Sequence, residues 1–384
     1  MLKKPPEGRY EIYKGLSCKG CPLADRGTGF SLPDGCGRNG TLLVGEALGK
    51  NEALQGKPFV GASGYQLDSS LGRTNLKRGD FTLTNIIQCQ PPGNWLEGAP
   101  WQYAATQYCK QYLHRVIERM KPKVIVPMGG IALHALLGLR GILDRRAPKR
   151  GYTYDVTIGG HSCFALPTIH PAHIIRGASN LTSVQIWDLQ RAVSIAKERP
   201  IPYKPRYILD PSRTDIHRFR AEALEAIQTE GFWLGCDIET GHSRRKAEDK
   251  LDDLDDERAI TRISFAFRGG HAITIPWRLP NLPEIQKLFD LPAKRLVVWN
   301  GKFDPPRLRD AGMSLPPIWD AMAAWHFLQS DLPKGLGFAS PFFSPLAEWK
   351  SKGEESPEEY SCADSDAMMW NAYGIKGQLE KELV

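Results

Sequence analysis

The chain has 384 residues, 41% hydrophobic and 24% charged, long enough for two separately cored domains. No apolar run of about 18 residues occurs, so no membrane-spanning helix is expected. The formal charge of +7 is divided unevenly, since residues 1–200 hold 26 Lys and Arg against 14 Asp and Glu, and residues 201–384 hold 24 against 29. A basic half joined to an acidic half fits a polyanion-binding module beside a carboxylate-rich one; uneven surface charge is the plainer reading.

The N-terminal MLKKPPEGRY has basic residues with no apolar segment behind them, so no secretory leader is predicted. A reducing cytoplasm, bacterial or of a virus-infected host, is the expected compartment, where eight cysteines would stay unpaired. The first local signal is SCKGCPLADRG (17–27), whose Cys18 and Cys21 sit among turn residues. On spacing alone, such a pair fits zinc, an iron–sulfur cluster or a redox dithiol. Its turn-like setting disfavours the dithiol, which would follow a strand and open a helix.

Short apolar runs follow at TLLVG (41–45), FTLTNII (81–87) and KVIVPMGG (123–130). They alternate with helical stretches such as QYCKQYLHRVIERM (107–120), which predicts an α/β sheet with functional loops at strand ends. The proline-rich ERPIPYKPRYILDPSRT reads as a boundary, giving domains at 1–198 and 214–384 with a linker at 199–213. Beyond it, FWLGCDIE, ITRISFAF and HAITIPW read as a three-strand meander, followed by helices, so this half is α/β with a mixed sheet. The acidic AEDKLDDLDDERA (247–259) between the first two strands reads as a solvated loop or short helix.

Three carboxylate motifs then occur in order. Asp237-Ile-Glu239 ends a strand, where residues i and i+2 share a face. VVWNGKFDPPRL supplies Asn300, Lys302 and Asp304, and Glu359–Asp364 places Tyr360 and Asp364 four apart on one helical face. Converging acids need divalent cations, and oxygen ligands without His or Cys favour Mg²⁺ or Mn²⁺. These motifs resemble the DnaQ-like 3′→5′ exonuclease fold, above all the proofreading domain of family A DNA polymerases, over about residues 205–384. That resemblance implies a ribonuclease H-like mixed sheet and Asp237, Glu239, Asp304 and Asp364 as ligands of two metal ions. It also implies that Tyr360 orients the attacking water, that Asp320 supports the site, that Asp364 outranks Asp366, and that Asn300 and Lys302 meet DNA. A family A polymerase, as a separate chain or a missing part of this one, is the implied partner.

In the first half, GEALGKNE (45–52), GKPFVGASG (56–64), TNIIQCQPPGNW (84–95) and TIHPAHIIRG (168–177) join the cysteine pair. Together they resemble the family 4 uracil-DNA glycosylases over about residues 10–198, which implies an α/β/α sheet domain acting on DNA. The resemblance implies a 4Fe–4S cluster on Cys18, Cys21, Cys89 and Cys109, with zinc as the other occupant and Cys36 as the rival ligand. It further implies a base pocket of Ala47, Phe59, Asn85 and His170, with Glu46 on the sugar side and Arg176 toward phosphate. Base-excision chemistry gives each of three side chains a part: Asn85 reads uracil N3–H and O4, Phe59 stacks on the flipped ring, and His170 donates to O2. Two departures stand out: Leu48 replaces the proline of the GEAPG pattern, and Lys50-Asn51 follow it. A catalytic glycosylase and a non-catalytic DNA-binding module derived from one are therefore both compatible with this half.

Overall fold

The computed structural model describes residues 11–241 and 259–382. MLKKPPEGRY, nearly all of the acidic 247–259 segment and the last two residues lie outside the described residues. The chain divides into two compact units, one reaching Asp144 and resuming at Pro148–Ile201, the other comprising Arg145–Ala147 and everything from Pro202 onward.

The first unit contains β1 (Thr41–Gly45), α1 (Lys50–Gln55), α2 (Ala62–Leu71), β2 (Thr82–Asn85), α3 (Gln102–Met120), β3 (Val124–Pro127) and α4 (Gly130–Leu137). β4 (Tyr154–Ile158), β5 (His161–Ala165), α5 (Pro171–Ile175) and α6 (Thr182–Lys197) complete it. The strands form one sheet in the order β2-β1-β3-β5-β4, parallel except for β4 at the edge. The inner strands β1 and β3 are buried along their whole length, as expected of parallel strands covered on both faces. Side-chain alternation splits β1 between two cores. Leu42 and Val44 pack with Leu113, Val116 and Ile117 of α3, while Leu43 packs with Leu67 of α2 and Leu189 of α6. The result is three layers, helix, sheet and helix.

The second unit contains β6 (Arg206–Ile208), α7 (Arg213–Glu230), β7 (Leu234–Thr240), β8 (Ile260–Arg268), β9 (His271–Pro276), α8 (Leu282–Phe289) and β10 (Leu296–Val298). α9 (Asp304–Asp310), β11 (Ile318–Asp320), α10 (Ala321–Leu328), α11 (Leu336–Ala339) and α12 (Pro357–Glu382) follow. Its sheet runs β11-β10-β7-β8-β9-β6, with β7-β8-β9 an antiparallel meander and β10, β11 and β6 added in parallel. The stretch read as a linker, 199–213, is therefore not all linker. Arg206–Ile208 pair with β9, and a capping box of Ser212 and Asp215 starts α7.

Period-2 alternation on β7 positions the acids. Leu234, Cys236 and Ile238 face the core under α7 and α8, so Gly235, Asp237 and Glu239 share the opposite face. A Cβ on Gly235 would stand 2.6 Å from Met369 Sδ, so the glycine leaves room for the Met369 side chain of α12 against the strand.

In the first unit a buried polar network supports the segment before His170. Arg150 Nη2 donates to Asp188 Oδ1 at 2.7 Å, and Thr168 Oγ1 donates to Asp188 Oδ2 at 2.7 Å. Gln185 Nε2 donates to the Ile169 carbonyl at 2.9 Å and is itself held by Ser70. Both side chains of the Arg150–Asp188 pair are fully buried. Removing one partner leaves an uncompensated buried charge, so D188A is expected to lower unfolding free energy by about 3–5 kcal/mol, measured by urea denaturation.

Candidate functional site

β1, β2 and β3 run parallel and end on one side of the sheet, at Gly45, Asn85 and Pro127, where ligands of open α/β sheets bind. A cleft of 1210 Å³ lies there, lined by Glu46, Ala47, Phe59, Asn85, His170 and Arg176 among others. All six side chains expected from sequence thus meet in one cavity. Gly45 pairs with Asn85, and a Cβ on it would stand 2.4 Å from both Asn85 Oδ1 and the Phe59 ring. The glycine of the GEALG stretch is therefore what admits both side chains. Phe59 is buried and held at φ 53°, a left-handed backbone that phenylalanine rarely adopts. Its ring centroid lies 6.0 Å from that of His170.

His170 caps α5, with Nδ1 accepting the Ala172 N–H at 3.1 Å. Burial, helped by Arg176, lowers its pKa from 6.5 to about 4. The imidazole is thus neutral at pH 7, and with Nδ1 accepting, its proton sits on Nε2, which can only donate. Glu46 behaves oppositely. Burial and then repulsion from Glu97 raise its pKa, while Arg176 opposes them.

Glu52 and Gln88 carry no role predicted from sequence. Buried Glu52 accepts the N–H groups of Val60 and Gly61 through Oε1, at 3.1 and 2.6 Å, and so fixes the loop that carries Phe59. Gln88 is fully buried and donates to the Asn85 carbonyl at 2.6 Å, while its backbone N–H meets Cys109 Sγ at 3.4 Å. Trp95, half exposed and packed edge-on against Trp101, also lines the cleft.

Cys18, Cys21, Cys89 and Cys109 lie beside one another. Burial, and then the charges of Cys21 and Cys18, push the Cys89 thiol up to about 12. Cys109 is raised by burial and by the other three sulfurs, while the Gln88 N–H opposes the rise. Three of the sulfurs have a polar hydrogen nearby: the Tyr112 hydroxyl 3.3 Å from Cys18, the Leu23 N–H 3.5 Å from Cys21, and the Gln88 N–H on Cys109. Such contacts suit metal-bound thiolates. A set of four thiolates suits an iron–sulfur cluster and also suits zinc. Cys36 is exposed, and its backbone N–H bonds to Gly79.

In the second unit Asp237, Glu239 and Asp364 offer oxygens within 4.8 Å of one another. Burial, followed by repulsion from Asp364, Asp304 and Glu239, holds Asp237 well above the usual carboxylate range. Burial and Asp364 raise Glu239 to about 7, and burial and Glu239 raise Asp304 to about 8. Glu239 Oε1 is buried with no hydrogen-bond partner. An orphaned oxygen among carboxylates that resist ionisation is what a cation site requires. Asp304, at the first turn of α9, is buried beside this trio.

Asp320 accepts the Asn300 and Gly301 N–H groups at 3.2 and 2.8 Å and also caps α10. It braces the turn before Asp304, with Asn300 in a left-handed conformation and Lys302 exposed. Asp366 points elsewhere, accepting from Tyr203, Tyr207 and the Gly270 N–H. Unexpected from sequence, Trp349 and Lys350 both donate to Asp364 Oδ1, at 2.8 and 2.5 Å.

Residues 33–192 match the uracil DNA glycosylase superfamily. The chain is 35% identical over 171 residues to the type-4 uracil-DNA glycosylase of Pyrobaculum aerophilum, covering 44% of this chain and 83% of that protein. It is 32% identical over 161 residues to the Archaeoglobus fulgidus enzyme of the same name, covering 42% and 79%. The Thermotoga maritima enzyme is 31% identical over 182 residues, covering 47% and 90%. No helix among the described residues is long and apolar enough to cross a membrane.

The His170 geometry is open to direct test. Imidazole ¹⁵N chemical shifts at pH 6 should report a neutral ring protonated on Nε2. A ring titrating near its ordinary 6.5 would contradict the cleft described above.

Proposed function

This chain belongs to the uracil-DNA glycosylase superfamily, and from that premise we propose that its first unit takes uracil out of DNA and cuts its glycosidic bond. The observation that carries the reading is His170, with Nδ1 occupied as an acceptor and Nε2 left to donate, beside Phe59 in the cleft that Asn85 also lines. A uracil entering the cleft stacks on Phe59. The Asn85 amide accepts its N3–H and donates to O4, a pattern that cytosine reverses. His170 Nε2–H donates to O2 as negative charge develops on the leaving base, as an oxyanion donor does. Glu46 and Arg176 line the same cleft; on the sugar side an ionised Glu46 would hold water and take its proton, and Arg176 would meet phosphate. Cys18, Cys21, Cys89 and Cys109 would hold a 4Fe–4S cluster that pins the 17–21 turn to α3 and takes no part in bond cleavage.

The test is a uracil-containing single strand, incubated with the protein and then treated with alkali. Cleavage at the abasic site is expected, with H170A about 10²–10³-fold slower. No product at high protein concentration, together with retained binding, would favour the non-catalytic sensor instead.

A second reading concerns the other unit, and the orphaned Glu239 Oε1 favours it. We propose that Asp237, Glu239, Asp304 and Asp364 support metal-dependent 3′→5′ exonuclease action on DNA. The order β9-β8-β7-β10-β11, with the acids on central β7, supports a ribonuclease H-like arrangement. Two bound Mg²⁺ or Mn²⁺ ions would supply charge stabilisation for the attacking and leaving oxygens. Tyr360, whose hydroxyl accepts from Lys350 at 2.9 Å, keeps its own proton free to orient a water. Association with a family A polymerase rests on the sequence resemblance alone. D237A should reduce metal-dependent shortening of a labelled 3′ end to background; unchanged shortening would refute the assignment.

A further inference from the structure

Lys350 sits inside the carboxylate site. Its ammonium is 2.5 Å from Asp364 Oδ1 and 2.9 Å from the Tyr360 hydroxyl, and it lies 4.7 Å from the Tyr360 ring centroid. Only 15% of its side chain is exposed. The turn that presents it is built for the purpose, because Glu348 accepts both the Ser351 N–H at 2.9 Å and the Ser351 hydroxyl at 2.6 Å. The neighbouring Trp349 Nε1 adds a second donor to the same Asp364 oxygen.

We propose that Lys350 is a tethered counter-cation of the Asp237–Glu239–Asp364 cluster, which competes with a divalent ion for Asp364 and thereby sets the site's metal affinity. The inference rests on the carboxylate reading above and deepens it. Without a bound ion, three acids within 4.8 Å repel one another, and one internal positive charge offsets part of that repulsion. A divalent ion arriving there must displace or share that contact, so it meets a cluster already part-neutralised. Lys350 is a positioning residue, acting through Asp364 and Tyr360.

Removing the ammonium should therefore tighten metal binding, whereas a merely structural ion pair would change folding stability and leave affinity alone. The measurement is Mn²⁺ binding to the full chain, read from the electron paramagnetic resonance signal of free Mn²⁺ at fixed pH and salt. K350M is expected to bind Mn²⁺ at least about tenfold more tightly than wild type, with K350R, which keeps the charge, within about twofold of wild type. K350Q serves as the second neutral variant should K350M not fold. D237A identifies the binding that belongs to the cluster. If cluster binding depends on Asp237 but the neutral variants bind no more tightly than wild type, the Lys350 proposal is overturned and the carboxylate reading stands. If wild-type Mn²⁺ binding is indifferent to D237A, the carboxylate reading fails and the Lys350 proposal falls with it.

Discussion

Like charges buried together are the constraint on which both units depend. Four thiols lie near one another in the first unit, and Asp304 lies near the Asp237, Glu239 and Asp364 trio in the second. Neither set can ionise fully in the space it occupies, because burial and mutual repulsion both oppose it. A positive charge that enters such a cluster relieves both penalties. The two differ in what the chain itself provides. The thiols receive only hydrogen-bond donors from Tyr112, Leu23 and Gln88, whereas the carboxylates have a full ammonium in Lys350.

Close approach is the second requirement, and a glycine meets it in each unit. Gly45 brings the Asn85 amide and the Phe59 ring to a strand end where any side chain would collide with both. Gly235 lets α12 settle on β7, carrying Asp364 toward Asp237 and Glu239. In both cases the missing Cβ lies one or two residues from an acid of a candidate site, Glu46 or Asp237. The same few residues therefore set both the packing distance and the chemistry.

Much of this is legible in the sequence because strand ends concentrate function. An apolar run leading into Gly45-Glu46, Asn85 or Asp237 announces both the strand and the side on which its ligands gather. The supporting residues are less legible. Glu52, Gln88, Asp188 and Lys350 are of common types with no distinctive spacing, and each matters through a partner distant in sequence or through burial that no local pattern records. Lys350 lies ten residues before Tyr360 in a stretch that reads as plain surface loop. The short strand inside the linker stretch is hidden for a related reason. β6 has three residues, is surrounded by prolines, and is a strand only because β9 offers it an edge.

Gln88 joins the two roles of the first unit. Its side chain holds the Asn85 carbonyl and its backbone meets the Cys109 sulfur, so one fully buried residue links the end of β2 to the cysteine site. Cys89 follows it directly, and Ser31 donates to its Oε1 from the loop beyond the cysteine pair. A displacement at the cysteines therefore reaches Asn85 through two hydrogen bonds and no flexible intermediate. Under the proposed reading, uracil is told from cytosine by the direction of the Asn85 amide, which is only as fixed as the backbone beneath it.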